Sequence, residues 1–206
     1  MANREFRERL KRRAKAVDLS IDVALAEQLE GYYQLLAKWN AKINLTSFRL
    51  TSSGEDDAID RLLIEPVVAA RYVPESARTL LDVGSGGGSP AIPLKLANPK
   101  LQLRMVEIKT RKAVFLREAI RTLGLRGHVA GAIPRGYGPF AREMGIEAYV
   151  GAVVRGAKHD PVLSVQLRRG YEVYGIIPDY VEDPVCANYG VFIVWRNRER
   201  AGETAR

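Results

Sequence analysis

The 206-residue sequence holds a single cysteine, Cys186, which excludes an internal disulfide and leaves the thiol as an ordinary small residue. Its two histidines, His128 and His159, stand far from that cysteine with no metal-ligand spacing, so no metal site is expected. Long apolar runs are missing too: Val191-Phe192-Ile193-Val194-Trp195 is far too short to cross a bilayer. The opening Met1-Ala2-Asn3-Arg4-Glu5-Phe6-Arg7 lacks the apolar stretch of a secretory signal. The expectation is a cytoplasmic monomer with no membrane partner, without internal repeats or low-complexity segments.

What the chain does have is 47% hydrophobic residues, and 32 Lys plus Arg against 24 Asp plus Glu, for a formal charge of +8 and a pI near 9.7. The apolar content suffices for one large domain, or one domain with appendages. The charge favours a polyanionic partner, although a basic surface without one has the same composition. Residues 4–15 concentrate it, with Arg4, Arg7, Arg9, Lys11, Arg12, Arg13 and Lys15 against Glu5 and Glu8. A frayed helix is predicted there, its cations either touching RNA phosphate or simply solvated.

Leu25, Leu29, Tyr32, Tyr33, Leu36 and Trp39 recur at helical spacing behind Asp22, which predicts an N-capped amphipathic helix ending near Asn40. Another helix is predicted over residues 58–71, kinked or restarted at Pro66. Thr79-Leu80-Leu81-Asp82-Val83 is a short apolar run stopped by Gly84, as in a buried parallel strand. A helix over residues 89–97, a strand over 101–107 and a helix over 111–123 follow, an order that implies a parallel sheet with right-handed crossovers. Later come helices near 146–155 and 161–169, strands over 171–177 and 189–195, and an Arg-rich loose tail over 196–206.

The chemistry concentrates in Asp82-x-Gly84-x-Gly86-x-Gly88, between a predicted strand and a helix, where a ligand must approach the backbone closely. Glu107 closes the next strand nineteen positions after Gly88, where a carboxylate can accept hydrogen bonds from both hydroxyls of a ribose. The dinucleotide pattern asks for glycine at position 89, which is Ser89, and no Gly-Lys-Ser/Thr follows, so NAD and ATP are disfavoured. The expected cofactor-binding set is Asp82, Gly84, Ser85, Gly86, Gly88 and Glu107.

Leu35-Leu36-Ala37-Lys38-Trp39-Asn40-Ala41-Lys42-Ile43-Asn44-Leu45-Thr46 resembles the signature helix of the RsmG (GidB) methyltransferases. Leu81-Asp82-Val83-Gly84-Ser85-Gly86-Gly87-Gly88-Ser89-Pro90-Ala91-Ile92-Pro93 resembles their cofactor turn. The likeness resumes at Val106-Glu107 and Lys109-Thr110-Arg111-Lys112-Ala113-Val114-Phe115-Leu116-Arg117-Glu118, and spans about residues 27–125. The resemblance implies an α/β, Rossmann-like class I methyltransferase fold and S-adenosylmethionine as cofactor. It also implies N7 of a guanine in small-subunit (16S) ribosomal RNA as target, and ribosomal RNA or the small subunit as partner. Guanine N7 carries a free lone pair, so positioning supplies most of such catalysis and no catalytic residue is singled out. Arg111 and Lys112 can steer RNA phosphate or be solvated; Asn44 and Thr46 can shape the cofactor cleft or only turn the chain.

The family pattern continues with further strands that this chain lacks. Residues 123–197 instead resemble the closing portion of a GNAT-type N-acetyltransferase domain, without that family's acetyl-CoA turn. The expected organisation is an N-terminal helical extension (1–75), the donor-binding half of a methyltransferase domain (76–125), and a GNAT-like segment with a basic tail (126–206), whose atypical strands complete the sheet. An acetyltransferase-related protein and a non-catalytic cofactor- or RNA-binding module are the alternative functions. His128 and His159 are read as structural rather than as bases, and Tyr137, Tyr171, Tyr174 and Tyr189 as core or interface aromatics.

Overall fold

The computed structural model of the protein describes residues 2–125 and 127–197, without the side chains of residues 2, 3 and 127–129. From residue 198 onward the expected basic tail lies outside the described residues.

Helix α1 (Ala2–Ala16) carries Phe6, Leu10 and Ala14 at four-residue spacing, and all three are buried, so it packs onto the molecule instead of fraying. Packing brings its arginines to carboxylates: Arg7 to Glu27 and Glu30, Arg9 and Arg12 to Asp56, Arg13 to Asp56 and Asp60. The basic run is largely neutralised within the chain. Helix α2 (Val23–Asn40) starts behind Asp22, whose Oδ1 accepts the Leu25 amide at 2.7 Å, and buries Leu29, Tyr32, Tyr33 and Leu36.

Residues 56–72 are helical with a change of pitch: α3 (Asp56–Ile59), a π turn (Asp60–Ile64), α4 (Glu65–Ala69) and a 3-10 turn (Ala70–Tyr72). The cause is Pro66, which has no N–H to offer the Leu62 carbonyl four residues back. Ser89 Oγ donates to that carbonyl at 3.0 Å. Ser89, standing where the dinucleotide pattern has glycine, therefore ties the glycine turn to the kinked helix.

Strands β1 (Thr79–Val83) and β2 (Gln102–Val106) pair in parallel, from Thr79 opposite Gln102 to Val83 opposite Val106, with α5 (Ala91–Ala97) between them and α6 (Thr110–Thr122) after. Leu80, Leu103 and Met105 join the core of α1, α2 and α6. The opposite face is open: Leu81 is 60% and Val83 74% exposed, so β1 is half covered rather than the buried strand expected. Among the described residues no strand pairs with its outer edge.

Strands β3 (Gly127–Ala132), β4 (Tyr171–Ile177) and β5 (Gly190–Arg196) form a separate antiparallel sheet in the order β3-β5-β4, with α7 (Ile146–Val154) and α8 (Leu163–Arg168) between β3 and β4 in the chain. The one sheet expected is therefore two, β3 lying beside β2 without joining its ladder. Tyr149, Val150, Leu163 and Ile193 build a second core, and Trp195 packs against both cores. Buried Asp160 pins this unit: Oδ2 accepts the Gly136 amide at 2.8 Å and the Tyr149 hydroxyl at 3.1 Å, and Oδ1 the Val162 and Leu163 amides at 2.9 and 2.7 Å.

Candidate functional site

Where β1 ends, the amides of Gly84 and Ser85 both donate to Val106 O, at 2.8 and 3.1 Å, clipping the turn to the end of β2. Gly88 N donates to Ser85 O at 2.6 Å, and the buried Ser85 hydroxyl to Asp82 O at 3.1 Å. Gly86 has φ +51°, but a Cβ there would meet only Gly84 O at 3.6 Å and Lys112 Nζ at 3.9 Å. The left-handed backbone, not crowding, is what requires glycine. Gly88 adds crowding to a φ of +84°: a Cβ would lie 2.5 Å from Ile92 Cδ1 and 3.3 Å from Leu116 Cδ2, where the turn packs on α5 and α6.

Glu107 joins strand end and turn. Its Oε2 accepts the Gly86 amide at 2.8 Å and its Oε1 the Lys109 amide at 2.7 Å, and the residue is buried. A carboxylate offers about four acceptor positions, so two such bonds leave capacity for further donors. Asp82 Oδ2 is buried and accepts no hydrogen bond from the described residues. The turn thus presents two carboxylates beside bare main chain, an arrangement suited to a ligand with hydroxyl donors and positive charge.

Residues given no site role in the sequence, Tyr32 of the core stripe and Asn40 at the helix end, hold the turn from behind. The Tyr32 hydroxyl donates to Gly87 O at 2.6 Å, and burial, then the Asp82 charge, raises its pKa. Asn40 Oδ1 accepts the Leu45 and Thr46 amides at 2.9 and 3.0 Å, setting Leu45 against Gly87. The chain-turning role considered for Asn44 and Thr46 falls first to Asn40; Asn44 is exposed, and Thr46 Oγ1 accepts the Phe48 amide at 3.3 Å. From the C-terminal unit comes Tyr180, whose buried hydroxyl has no partner among the described residues; burial, then the Glu107 charge, raises its pKa.

The six expected cofactor residues therefore converge. Lys112, in the first turn of α6, lies over Gly86, and Arg111 beside it is exposed. His159 is exposed, and the side chain of His128 lies outside the described residues. Cys186 is buried, its thiol pKa pushed up first by burial. Tyr137 and Tyr171 are buried and Tyr189 packs edge-on to Tyr137, whereas Tyr174 is half exposed beneath Arg196.

A glycine turn bridged to the acid closing the next parallel strand, in a mixed α/β chain, is consistent with the methyltransferase fold. The profile of the family described as GidB, rRNA small subunit methyltransferase G, matches residues 25–131, and the chain belongs to that family. Among curated relatives, ribosomal RNA small subunit methyltransferase G of Dichelobacter nodosus is 42% identical over 118 residues, 57% of this chain and 54% of its own. Its namesake from Neisseria meningitidis serogroup C is 38% identical over 121 residues, 59% of this chain and 56% of its own. That of Pelotomaculum thermopropionicum is 37% identical over 119 residues, 57% of this chain and 48% of its own. The chain spans about half the length of the curated relatives it matches.

Proposed function

We propose that the chain binds S-adenosylmethionine at the turn between β1 and α5 and methylates N7 of a guanine in small-subunit ribosomal RNA, in the cytoplasm. The observation that carries this reading is the hydrogen bond from the Gly86 amide to Glu107, which sets the acid beside the bare turn. The residues fit the cofactor: among the described residues Asp82 Oδ2 has no donor, and a Cβ on Gly84 would meet nothing within 4 Å. When bound, S-adenosylmethionine supplies an electrophilic methyl group on a sulfonium. Glu107 would accept the ribose hydroxyls, Asp82 would face the donor groups of the methionine portion, and Gly84 and Gly86 would admit both to the main chain. Guanine N7 needs no base, so the residues act by holding the two partners in line.

The proposed organisation is a helical extension (1–75), the donor half (76–125) and a C-terminal segment (126–206) of acetyltransferase-like origin. That last segment comes without the acetyl-CoA turn of its family in the sequence and serves structurally. A donor-binding module without turnover is the second reading, favoured by the family match ending at residue 131. Incubating the full chain with small-subunit RNA and methyl-labelled S-adenosylmethionine, then mapping N7-methylguanine by cleavage at the modified base, decides between them. Label at guanine N7 is expected; donor binding without label in RNA supports the second reading.

A further inference from the structure

A cleft of about 370 Å³ between α6, the end of α8 and β5 is lined by Arg117, Arg121, Arg168, Arg169 and Trp195. Among the described residues no carboxylate lies within ion-pair distance of any of the four guanidiniums, in contrast to the arginines of α1. Glu118, the one acid on the cleft wall, is engaged elsewhere: it accepts the Trp39 indole N–H at 3.1 Å and faces Lys38 Nζ at 3.9 Å. Helix dipoles account for Arg121 and Arg168, which stand in the last turns of α6 and α8. They do not account for Arg117 in mid-helix. Its Nη1 donates to Arg169 O at 3.0 Å, its guanidinium lies 5.8 Å from the centre of the Tyr171 ring, and burial, then the charges of Arg169 and Arg121, lowers its pKa. Like charges gathered at one place favour an anion between them.

We propose that this cleft binds the phosphodiester backbone of single-stranded RNA, with a base stacked on Trp195. The indole is half-buried and held by both cores, which makes it a fixed platform for a base. Arg111, Val114, Glu118 and Arg121 recur at helical spacing along one stripe of α6, so a strand can run about 15 Å from the donor turn to the cleft. Arg117 and Arg121 lie within the residues matched by the family and Arg168, Arg169 and Trp195 beyond them, so the site is formed where α6 meets this chain's own C-terminal unit. The identity of the polyanion rests on the RNA reading above; the anion site itself rests on the four guanidiniums.

Fluorescence anisotropy with labelled single-stranded RNA tests it on the full chain, beside a double variant, Arg168→Gln with Arg169→Gln. As a charge control, Arg142→Gln with Arg155→Gln removes two exposed cations from elsewhere. The cleft variant should bind roughly tenfold more weakly or worse, with the slope of log affinity against log salt reduced by about 1.4, while the control stays near the parent. Unchanged affinity and slope in the cleft variant, or an equal loss in the control, would overturn the site. Cleft-dependent binding of inorganic tripolyphosphate but not RNA would overturn the strand assignment. Calorimetry with S-adenosylmethionine on the same samples separates the two readings: RNA binding that depends on the cleft, without donor binding, upholds the cleft and sinks the methyltransferase.

Discussion

The Gly86 amide donates to Glu107 Oε2 at 2.8 Å, so a left-handed turn residue and the acid closing the neighbouring strand form one unit twenty-one positions apart. The bond orients the carboxylate before any ligand arrives and consumes only part of its accepting capacity. It also means that the turn's backbone and its acid are not independent in their effects.

Gly86→Val should cost about 1–3 kcal/mol of stability and weaken donor binding, through backbone strain rather than collision. Gly86→Asn, which tolerates positive φ, should retain most of both. Thermal unfolding with donor titration distinguishes the causes: if Asn and Val are equally damaging, side-chain bulk at the ligand surface is responsible instead.

Pro66 and Ser89 should be coupled. Ser89→Ala in the parent leaves the Leu62 carbonyl without its hydroxyl donor and should cost about 1 kcal/mol. With Pro66→Ala an amide becomes available four residues on, and Ser89→Ala should then cost much less. A double-mutant cycle by chemical denaturation reads the difference; strictly additive effects would show that Ser89 does not replace the missing helical bond.

Asp160→Ala should destabilise the C-terminal unit by on the order of 3 kcal/mol or more, because two polar side-chain acceptors vanish from four buried or partly buried donors. Hydrogen exchange should show the loss first in α7, α8 and the β3-β5-β4 sheet. Uniform loss across the chain would mean that the two cores unfold as one.

The Tyr171 phenol is buried and its pKa is pushed up to about 12, chiefly by burial. Because the folded value lies above the unfolded one, near 10, this contribution is fully present below about pH 10 and is lost as the pH climbs toward 12. About 2–3 kcal/mol should disappear over that window. Tyr171→Phe should flatten the alkaline limb of the stability curve, measured by denaturant unfolding at stepped pH; an unchanged slope would place the titration on other phenols.

The parts legible in the sequence are those governed by neighbours in the chain. Asp22 capping α2 needs only the residues that follow it, and the glycine spacing with Glu107 conveys the turn and its acid. What escaped reading depends on distant partners. Ser89 looked like a mere departure from a pattern because its acceptor lies on another helix, and Tyr32 read as core because the oxygen its hydroxyl reaches is fifty-five positions away. In α1 the charge masked the Phe6, Leu10 and Ala14 stripe that docks it. Leu81 and Val83 announced a buried strand, yet burial requires covering elements that the described residues do not provide. Glycine and alanine in β3 gave no strand signal in the local pattern.

The most direct test of the donor site is calorimetric titration of the full chain with S-adenosylmethionine and, separately, acetyl-CoA, repeated on Glu107→Ala. Saturable binding of S-adenosylmethionine alone is expected, weakened in the variant by about 1–3 kcal/mol, roughly 5- to 150-fold. Binding of acetyl-CoA alone, or S-adenosylmethionine affinity indifferent to the loss of Glu107, would contradict it.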